Sequence, residues 1–496
     1  MAIETELKLH IAPENLIRLK RHPFLRSLSA SRARTLKLYS IYYDTADLEL
    51  RRQAMALRLR RAGKQFVQTL KGGGEVSAGL HQRNEWETPV PSEQLDFALL
   101  KAGGGQLPHG VRNRLQPVFV TEFSRNVRML EFEGAEIELC MDSGEIRAGQ
   151  STGPISELEL ELKSGSPQQL FKLALALLNI VPMDVEHTSK AEYGYLLFSG
   201  AKPSVSKVRF PALKKLQPVT VALQSLISAF LSHVQSNVPG ALLKLDEEYL
   251  HQVRVGLRRL RVVLAIAQRH RPDDAELAAL RLQMARLCVE LGRAREWDVF
   301  VTQTLVPILA RLPDHDGLRE VLNAADRMRK HQHAGMEGSL ASQDFQRLLL
   351  RFGAWMHGLQ SAESEATLEK FATRILDKRS KQVLVHGKGL LGEDPAQLHA
   401  LRIACKKLRY SIDMFGALFP GSKSGNYLTV LTELQDILGV LNDIAVAHRL
   451  LAELDNAARH DTLMLVRGWM EHDYAERIAE FRKAWERYAA QKEFWH

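Results

Sequence analysis

Ile3-Glu4-Thr5-Glu6-Leu7-Lys8-Leu9 places a charged residue at every second position. Side chains of a strand change face at each residue, so Glu4, Glu6 and Lys8 share one face while Ile3, Leu7 and Leu9 lie on the other. Neighbours on one face stand about 6–7 Å apart. Two carboxylates at that spacing can ligate one hard cation together or bracket a pair of cations. Alone, such a strand would be a half-buried strand with its charged face in water. The pattern recurs several times before residue 165, and that recurrence decides the fold.

The sequence predicts a helix at 13–20 and strands at 34–43, 55–61, 65–71, 81–88, 117–133, 135–142 and 155–163, followed by a helix at 168–178. The strand at 55–61 alternates Arg58 and Arg60 with Leu57 and Leu59. The strand at 65–71 carries Lys71 and stops at Gly72-Gly73-Gly74. At 81–88, Arg83, Glu85 and Glu87 share a face opposite Trp86, which should point into outer packing. Arg125 belongs to the strand at 117–133, Asp142 ends the next, and Glu157, Glu159 and Glu161 line one face of the last. An open sheet facing water would mix Ser, Thr, Gln and Lys. Here acidic pairs occupy some strands and an arginine pair another. A closed antiparallel barrel with these charges in its lumen fits better. Its carboxylates can hold Mg²⁺ or Mn²⁺, and its Arg and Lys an anion that touches the metal. A chain of phosphates is the matching substrate, since Arg bonds phosphate oxygens bidentately and Lys supplies a point charge.

The 496 residues exceed one ordinary domain. Residues 1–200 hold 25 Lys and Arg against 24 Asp and Glu, which leaves 42 against 34 beyond them and nearly all of the net charge of +9. That excess suggests a polyanionic partner for the C-terminal part. Pro203, Pro211 and Pro218 mark 203–218 as a linker between an α+β domain at 1–202 and an all-α domain at 219–496. The three cysteines, Cys140, Cys288 and Cys405, form no CxxC pair. They are expected as core residues of a protein from a reducing cytoplasm. No run of 18 apolar residues predicts a membrane span, and the acidic N-terminus does not resemble a secretory signal.

The helical part repeats itself. His251, Arg254, Arg258 and Arg261 align without gaps to His399, Arg402, Lys406 and Arg409. Their common offsets fall within an arc of roughly 80° on a helix, so each copy presents a basic stripe. Val253, Leu257, Leu260 and Leu264 in one copy, and Leu401, Cys405, Leu408 and Ile412 in the other, form a separate apolar face. Each copy is followed by a second block, Leu291-Gly292-Arg293-Ala294-Arg295-Glu296 and Leu438-Gly439-Val440-Leu441-Asn442-Asp443. Two helical bundles, about 219–350 and 351–496, are expected, of four helices each.

The quoted blocks resemble two known families. Glu4-Thr5-Glu6-Leu7-Lys8 resembles the ExExK signature of the CYTH, or triphosphate tunnel metalloenzyme, superfamily. Tyr43-Asp44-Thr45-Ala46-Asp47-Leu48, Ala56-Leu57-Arg58-Leu59-Arg60, Thr69-Leu70-Lys71-Gly72 and Ser156–Lys163 follow in the family's order. The resemblance implies an eight-stranded tunnel that hydrolyses triphosphates with a divalent metal. It implies Glu4, Glu6, Asp142, Glu159 and Glu161 as metal ligands. Lys8, Arg58, Arg60, Lys71, Arg83, Arg125 and Lys190 would be triphosphate ligands, and Glu85 and Glu87 lumen carboxylates that help set metal or water. Glu4, Glu6, Lys8, Glu85 and Glu87 would thus be the catalytic set. Three glutamates in one run leave the register open by two residues. The helical repeat resembles the CHAD domain, which implies binding of inorganic polyphosphate through both basic stripes and their leading histidines. Inorganic triphosphate is the expected substrate, because no aromatic cluster suggests a base platform. An adenylate cyclase, an organic triphosphatase and a polyphosphate-targeting protein are the alternatives. A nucleic-acid partner is not expected, for no helix-turn-helix, RNA-recognition or zinc-finger signature occurs.

Overall fold

The alternating stretch forms β1 (Ala2–His10), the strand that closes a barrel. The computed structural model describes residues 2–77, 79–360, 367–390, 394–420, 423–454 and 460–496. After β1 come α1 (Pro13–Arg21), α2 (Pro23–Leu28), β2 (Arg34–Asp44), α3 (Glu49–Arg52), β3 (Met55–Ala62), β4 (Gln65–Ser77) and β5 (Leu80–Val90). Next are α4 (Phe97–Ala102), β6 (Gln116–Phe132), β7 (Ala135–Ala148), β8 (Ser151–Ser164), α5 (Pro167–Leu178), β9 (Asp184–Val185) and α6 (Lys190–Ser199). The antiparallel order β5-β4-β3-β2-β6-β7-β8-β1 returns to β5, so eight strands close completely, and the short β9 adds to β1.

Register sorts the two faces. Glu6 lies opposite Glu161, Lys8 opposite Glu159, Asp142 opposite Glu157, and Arg125 opposite Asp142. Directly opposed residues share a face, so the charged set turns inward. Leu7, Leu9, Leu139, Leu158 and Leu160 turn outward and are buried. Helix α5 packs against β1 and β8 on that outer side through Leu170, Leu173, Ala174 and Leu177. This inverts the usual barrel, with apolar packing outside and charge within. Trp86 packs outside with Leu57, Leu70 and Leu100.

Strand β4 does not stop at the glycine run, contrary to the sequence reading. It continues to Ser77 through a bulge between Gly72 and Gly74. Gly74 adopts φ +116°, and a Cβ there would meet the Gln82 carbonyl oxygen at 2.1 Å. The glycines thus permit a kink and close strand approach, and they do not end the pairing.

Towards one end the lumen turns apolar. Leu38, Tyr42, Phe119, Phe123, Ile146 and Ile155 fill it together with Tyr195 of α6. Tyr42 stacks on Phe119 at 4.4 Å, and Tyr195 meets Phe119 edge-on. Gly194 lets α6 come this close, since a Cβ would stand 2.2 Å from the Phe119 ring.

The helical part comprises α7 (Val219–Leu242), α8 (Glu247–His270), α9 (Ala275–Val299), a π-helical stretch at Phe300–Leu305 and α10 (Val306–Arg311). Then follow α11 (Asp316–Leu340), α12 (Gln343–His357), α13 (Leu368–Gly387), α14 (Pro395–Phe415), α15 (Lys423–Glu453) and α16 (His460–Ala489). Compactness divides the chain into one unit of Met1–Lys207, Leu231–Val253 and Ser342–Leu359, and another of Val208–Phe230, Arg254–Ala341 and Gln360–His496. In the first unit α12 packs on α5, where Gln168 donates to the Ala354 carbonyl at 3.1 Å and Phe171 stacks on His357.

In the second unit, α13 to α16 share one core through Leu376, Val383, Leu408, Leu434 and Phe481. A second core joins Trp297, Phe300, Val321 and Ala325 to Leu450, Leu451 and Val466 of α15 and α16. Those two helices, 31 and 30 residues long, reach about 45 Å at 1.5 Å per residue, enough to enter both cores. The two sequence copies become α8 and α14, and their apolar faces are buried. Cys140 and Cys405 are buried free thiols and Cys288 is a half-buried one. Among the described residues no helix is long and apolar enough to cross a membrane.

Candidate functional site: a charged lumen and a basic helical cluster

Four strands and one helix build the deepest charged cluster. Asp142, Glu157 and Glu159 bring carboxylate oxygens within 4.8 Å of one another. Three cations offset them. Arg125 grips Asp142 bidentately at 2.8 and 2.6 Å and also contacts Glu159. Lys190 reaches in from the first turn of α6, 2.7 Å from Asp142 and 3.1 Å from Glu159, and contacts Glu157. Lys8 contacts Glu159 and lies 2.9 Å from Glu6. Burial alone would raise the Glu159 carboxyl, but Lys190, Lys8 and Arg125 outweigh it and hold it well below the usual range. Burial and the neighbouring carboxylates win at Glu157, which is pushed up to about 7 against the pull of Lys190. Glu157 is therefore the protonatable member of the pair.

A second group lines the rest of the lumen. Lys71 contacts Glu4 and lies 3.3 Å from Glu85, whose other oxygen is 3.5 Å from Arg58. Glu161 pairs with Lys163 at 2.6 Å, and the charge of Glu4 reaches it. Arg60 differs from its neighbours. Its Nε donates to Ser40 Oγ at 3.2 Å, and no described carboxylate lies within ion-pair distance. Burial, Arg58 and Arg125 lower it to about 10, where it stays charged at neutral pH. Arg58 keeps a buried Nε with no partner. The lumen thus holds two arginines with unused donors.

The other expected residues are more scattered. Arg83 is half-buried on β5, opposite Glu4. Glu87 is exposed, and Thr69 Oγ1 donates to it at 3.5 Å. Tyr42, Ser40 and His81 also face the lumen, and no motif in the sequence marks them. Burial would raise the Tyr42 phenol, but Arg58 and Arg60 outweigh it and bring it below its usual range. His81 lies opposite Glu6, and burial, Lys8 and Arg83 hold its imidazole well below the ordinary value. The signal for Tyr42 and Ser40 was their pairing with Arg58 and Arg60, which requires the β2–β3 register.

In the helical unit, Arg254 and Arg258 of α8 meet Arg295 of α9 and Arg402 and Lys406 of α14 in one electrostatic neighbourhood. Arg254 donates to the Leu291 carbonyl at 3.0 Å. Asp298, Glu296 and Asp443 offset part of this charge. Burial, then Arg402 and Arg258, push Lys406 down to about 7.

Residues 2–195 match the CYTH domain model and residues 225–452 the CHAD domain model. The chain carries a CYTH domain followed by a CHAD domain. It is 37% identical over 199 residues to an inorganic triphosphatase of Haemophilus influenzae, a match covering 40% of this chain. The matched stretch spans 56% of that curated relative, or about half its length. A solved CHAD domain from the plant Ricinus communis is 28% identical, with a TM-score of 0.50, over 58% of this chain and 98% of that one.

Within the CHAD domain the leading histidines are both exposed. His399 Nδ1 lies 2.7 Å from Asn442 Oδ1, within the second repeated block. Arg409 donates to Gln435 at 3.4 Å, and Arg261 is exposed beside the Cys288 thiol.

Proposed function

We propose that the CYTH domain hydrolyses inorganic triphosphate to phosphate and diphosphate with Mg²⁺ or Mn²⁺, and that the basic cluster of the CHAD domain binds polyphosphate. The two family matches lie on either side of 203–218, which supports that segment as the linker between 1–202 and 219–496. The observation that carries the catalytic reading is the pair Arg58 and Arg60, half-buried guanidiniums in a lumen that holds acids on other strands: Arg58 keeps a buried Nε without a partner, and the hydrogen bond of Arg60 goes to the neutral Ser40. Leaving such donors unmet is costly, and phosphate oxygens match their geometry. The relative's name, an inorganic triphosphatase, agrees.

The donor set fits a hard divalent cation, being all carboxylate oxygen. Asp142 and Glu159 each face at least two cations already. Glu4, Glu6 and Glu161 carry less compensation and would hold the metal, with Asp142 and Glu159 orienting Lys8, Arg125 and Lys190. When bound, the metal supplies charge neutralisation on the phosphate oxygens. Arg58, Arg60 and Lys71 bind the triphosphate and take up charge on the leaving diphosphate. Lys8, Arg125 and Lys190 fix its far end, and a lumen carboxylate orients the attacking water in line. The lumen aromatics support an inorganic substrate, because Tyr42, Phe119 and Tyr195 are packed against one another and buried.

The test is phosphate release by the full chain from tripolyphosphate, ATP and thiamine triphosphate, with Mg²⁺ or Mn²⁺ and with a chelator. Metal-dependent release from tripolyphosphate above the others is expected. Release mainly from an organic triphosphate would overturn the substrate. No release from any would favour a cyclase or a polyphosphate-targeting role.

A further inference from the structure

The strand that carries Glu4, Glu6 and Lys8 needs a neighbour that β5 does not supply along its whole length. β5 pairs with β1 only as far as Leu7, opposite Leu80. Beyond that point β9 takes over, with Leu9 opposite Val185 and His10 opposite Asp184. The Glu186 amide donates to the Lys8 carbonyl at 2.9 Å. From there the chain runs through Ser189, which caps α6 by accepting the Glu192 amide at 3.2 Å, to Lys190. β9 therefore joins the two lysines that meet on Glu159.

Successive amides of a strand point to opposite edges, so those of Met183 and Val185 face away from β1. Among the described strands none pairs with that edge. Two glutamines of α12 stand in for one. Gln343 Oε1 accepts the Met183 amide at 3.0 Å, and Gln346 Oε1 accepts the Val185 amide at 2.9 Å. Helix positions three apart stand about 5–6 Å from each other on one face, close to the roughly 6–7 Å repeat of alternate strand residues. Gln346 is buried. Helix α12 is itself held in register: Arg347 donates to Asn179 at 2.9 Å, and Gly353 lies so close to α5 that a Cβ would stand 2.1 Å from the Phe171 ring. Both glutamines fall within the CHAD match and outside the CYTH match, which ends at residue 195.

Without these acceptors two strand amides would lose their partners, a costly state beside the buried Met183. We propose that Gln343 and Gln346 are positioning residues for triphosphate hydrolysis, holding β9 and through it keeping Lys8 and Lys190 in place on Glu159. The catalytic unit thus borrows two side chains from the CHAD stretch of the chain. This role presupposes hydrolysis in the lumen, and neither glutamine would touch the substrate.

Steady-state kinetics of the full chain on tripolyphosphate, with Mg²⁺ or Mn²⁺ and well below the melting point, test this together with amide hydrogen exchange. Gln346→Met keeps the shape and loses the acceptor. It should lower kcat about tenfold with KM less affected, since small displacements at a reacting centre are expensive. Gln346→Glu keeps an acceptor oxygen and should recover most of the rate. The amides of 183–186 should exchange faster in the Met variant and stay protected in the Glu variant. A wild-type kcat in Gln346→Met, or an equal loss of kcat in both variants, overturns the role. So does a lower Tm with kcat unchanged, the mark of a purely structural contact. If the wild-type chain hydrolyses no triphosphate, the lumen chemistry fails, and exchange still decides the clamp: protection lost with Met and kept with Glu upholds it, while equal protection overturns it. Should Gln346→Met fail to fold, Gln343→Met at the half-buried position decides alone.

Discussion

Arg125 and Arg60 lie in the same lumen yet should respond oppositely to removal. Arg125 joins Asp142, which is fully buried, to Glu159. Arg125→Ala leaves two carboxylates short of their counter-charge and should cost about 3–5 kcal/mol, read as a lower Tm together with lost turnover. Among the described residues Arg60 has no carboxylate partner, so Arg60→Ala should leave the Tm almost unchanged and lower tripolyphosphate kcat/KM by about 100-fold. Equal Tm losses in both variants would remove the distinction between framework and substrate cations. Lys406 carries the pH dependence. Its folded value of about 7 lies below the ordinary 10.5. Below pH 7 both folded and unfolded chains hold the proton. Between 7 and the ordinary value only the unfolded chain does, so stability from this group rises with pH across that window. Polyanion binding has the opposite sign, because the neutral amine attracts it less. Polyphosphate affinity should fall as pH rises above about 7, and Lys406→Arg should flatten the profile. An unchanged profile in that variant would clear Lys406 of the effect.

Helix α6 delivers Lys190, and α3 fixes α6. Asp44 accepts the Leu50 and Arg51 amides at 2.9 and 3.0 Å. Arg51 is then held to make a two-bond pair with Glu192, at 2.6 and 3.2 Å. Arg51→Ala should let α6 shift and lower kcat on the order of tenfold with KM less affected, since small displacements at a reacting centre are expensive. Arg51→Lys should recover only part, because it cannot make both bonds. A change in KM alone would place Arg51 in binding and not in positioning. At this scale the fold was readable where charge alternated. β1, β3 and β8 announce themselves by Glu and Arg at every second residue, and a closed barrel follows from the sorting of their signs. β2 does not, because Tyr39-Ser40-Ile41-Tyr42-Tyr43 has no charge to alternate, so Ser40 and Tyr42 became visible only through their register with Arg60 and Arg58. The glycine run misled for a related reason. Gly72 to Gly74 mark a stop in propensity terms, but the tertiary demand for a kink beside Gln82 uses the same residues to continue β4. In the open register of the Glu157–Glu161 run, pairing with β1 sets Glu159 beside Lys8 and Glu161 beside Glu6. The grouping of α12 with the barrel unit has no sequence signal, since its apolar face would suit any partner.

Over the whole molecule, charge is distributed by task. The N-terminal 200 residues nearly balance, with 25 basic and 24 acidic side chains, and in the lumen most cations are matched to named carboxylates. The remaining chain holds the excess, concentrated where α8 and α14 bring their stripes together. On the proposed function, a balanced lumen would select a ligand that carries its own metal, whereas an unbalanced surface would attract any long polyanion, with strong dependence on salt. The two functions should therefore separate genetically. In the full chain, Arg254→Ala/Arg402→Ala removes two charges from the cluster and none from the lumen. Retention on immobilised polyphosphate should drop by roughly tenfold or more, with a shallower salt dependence, while kcat and KM for tripolyphosphate stay at wild-type values. Arg60→Ala should show the mirror image, with hydrolysis impaired and retention intact. Loss of hydrolysis in the stripe variant would instead mean that polyanion capture feeds the lumen, and the independence argued from charge placement would fall.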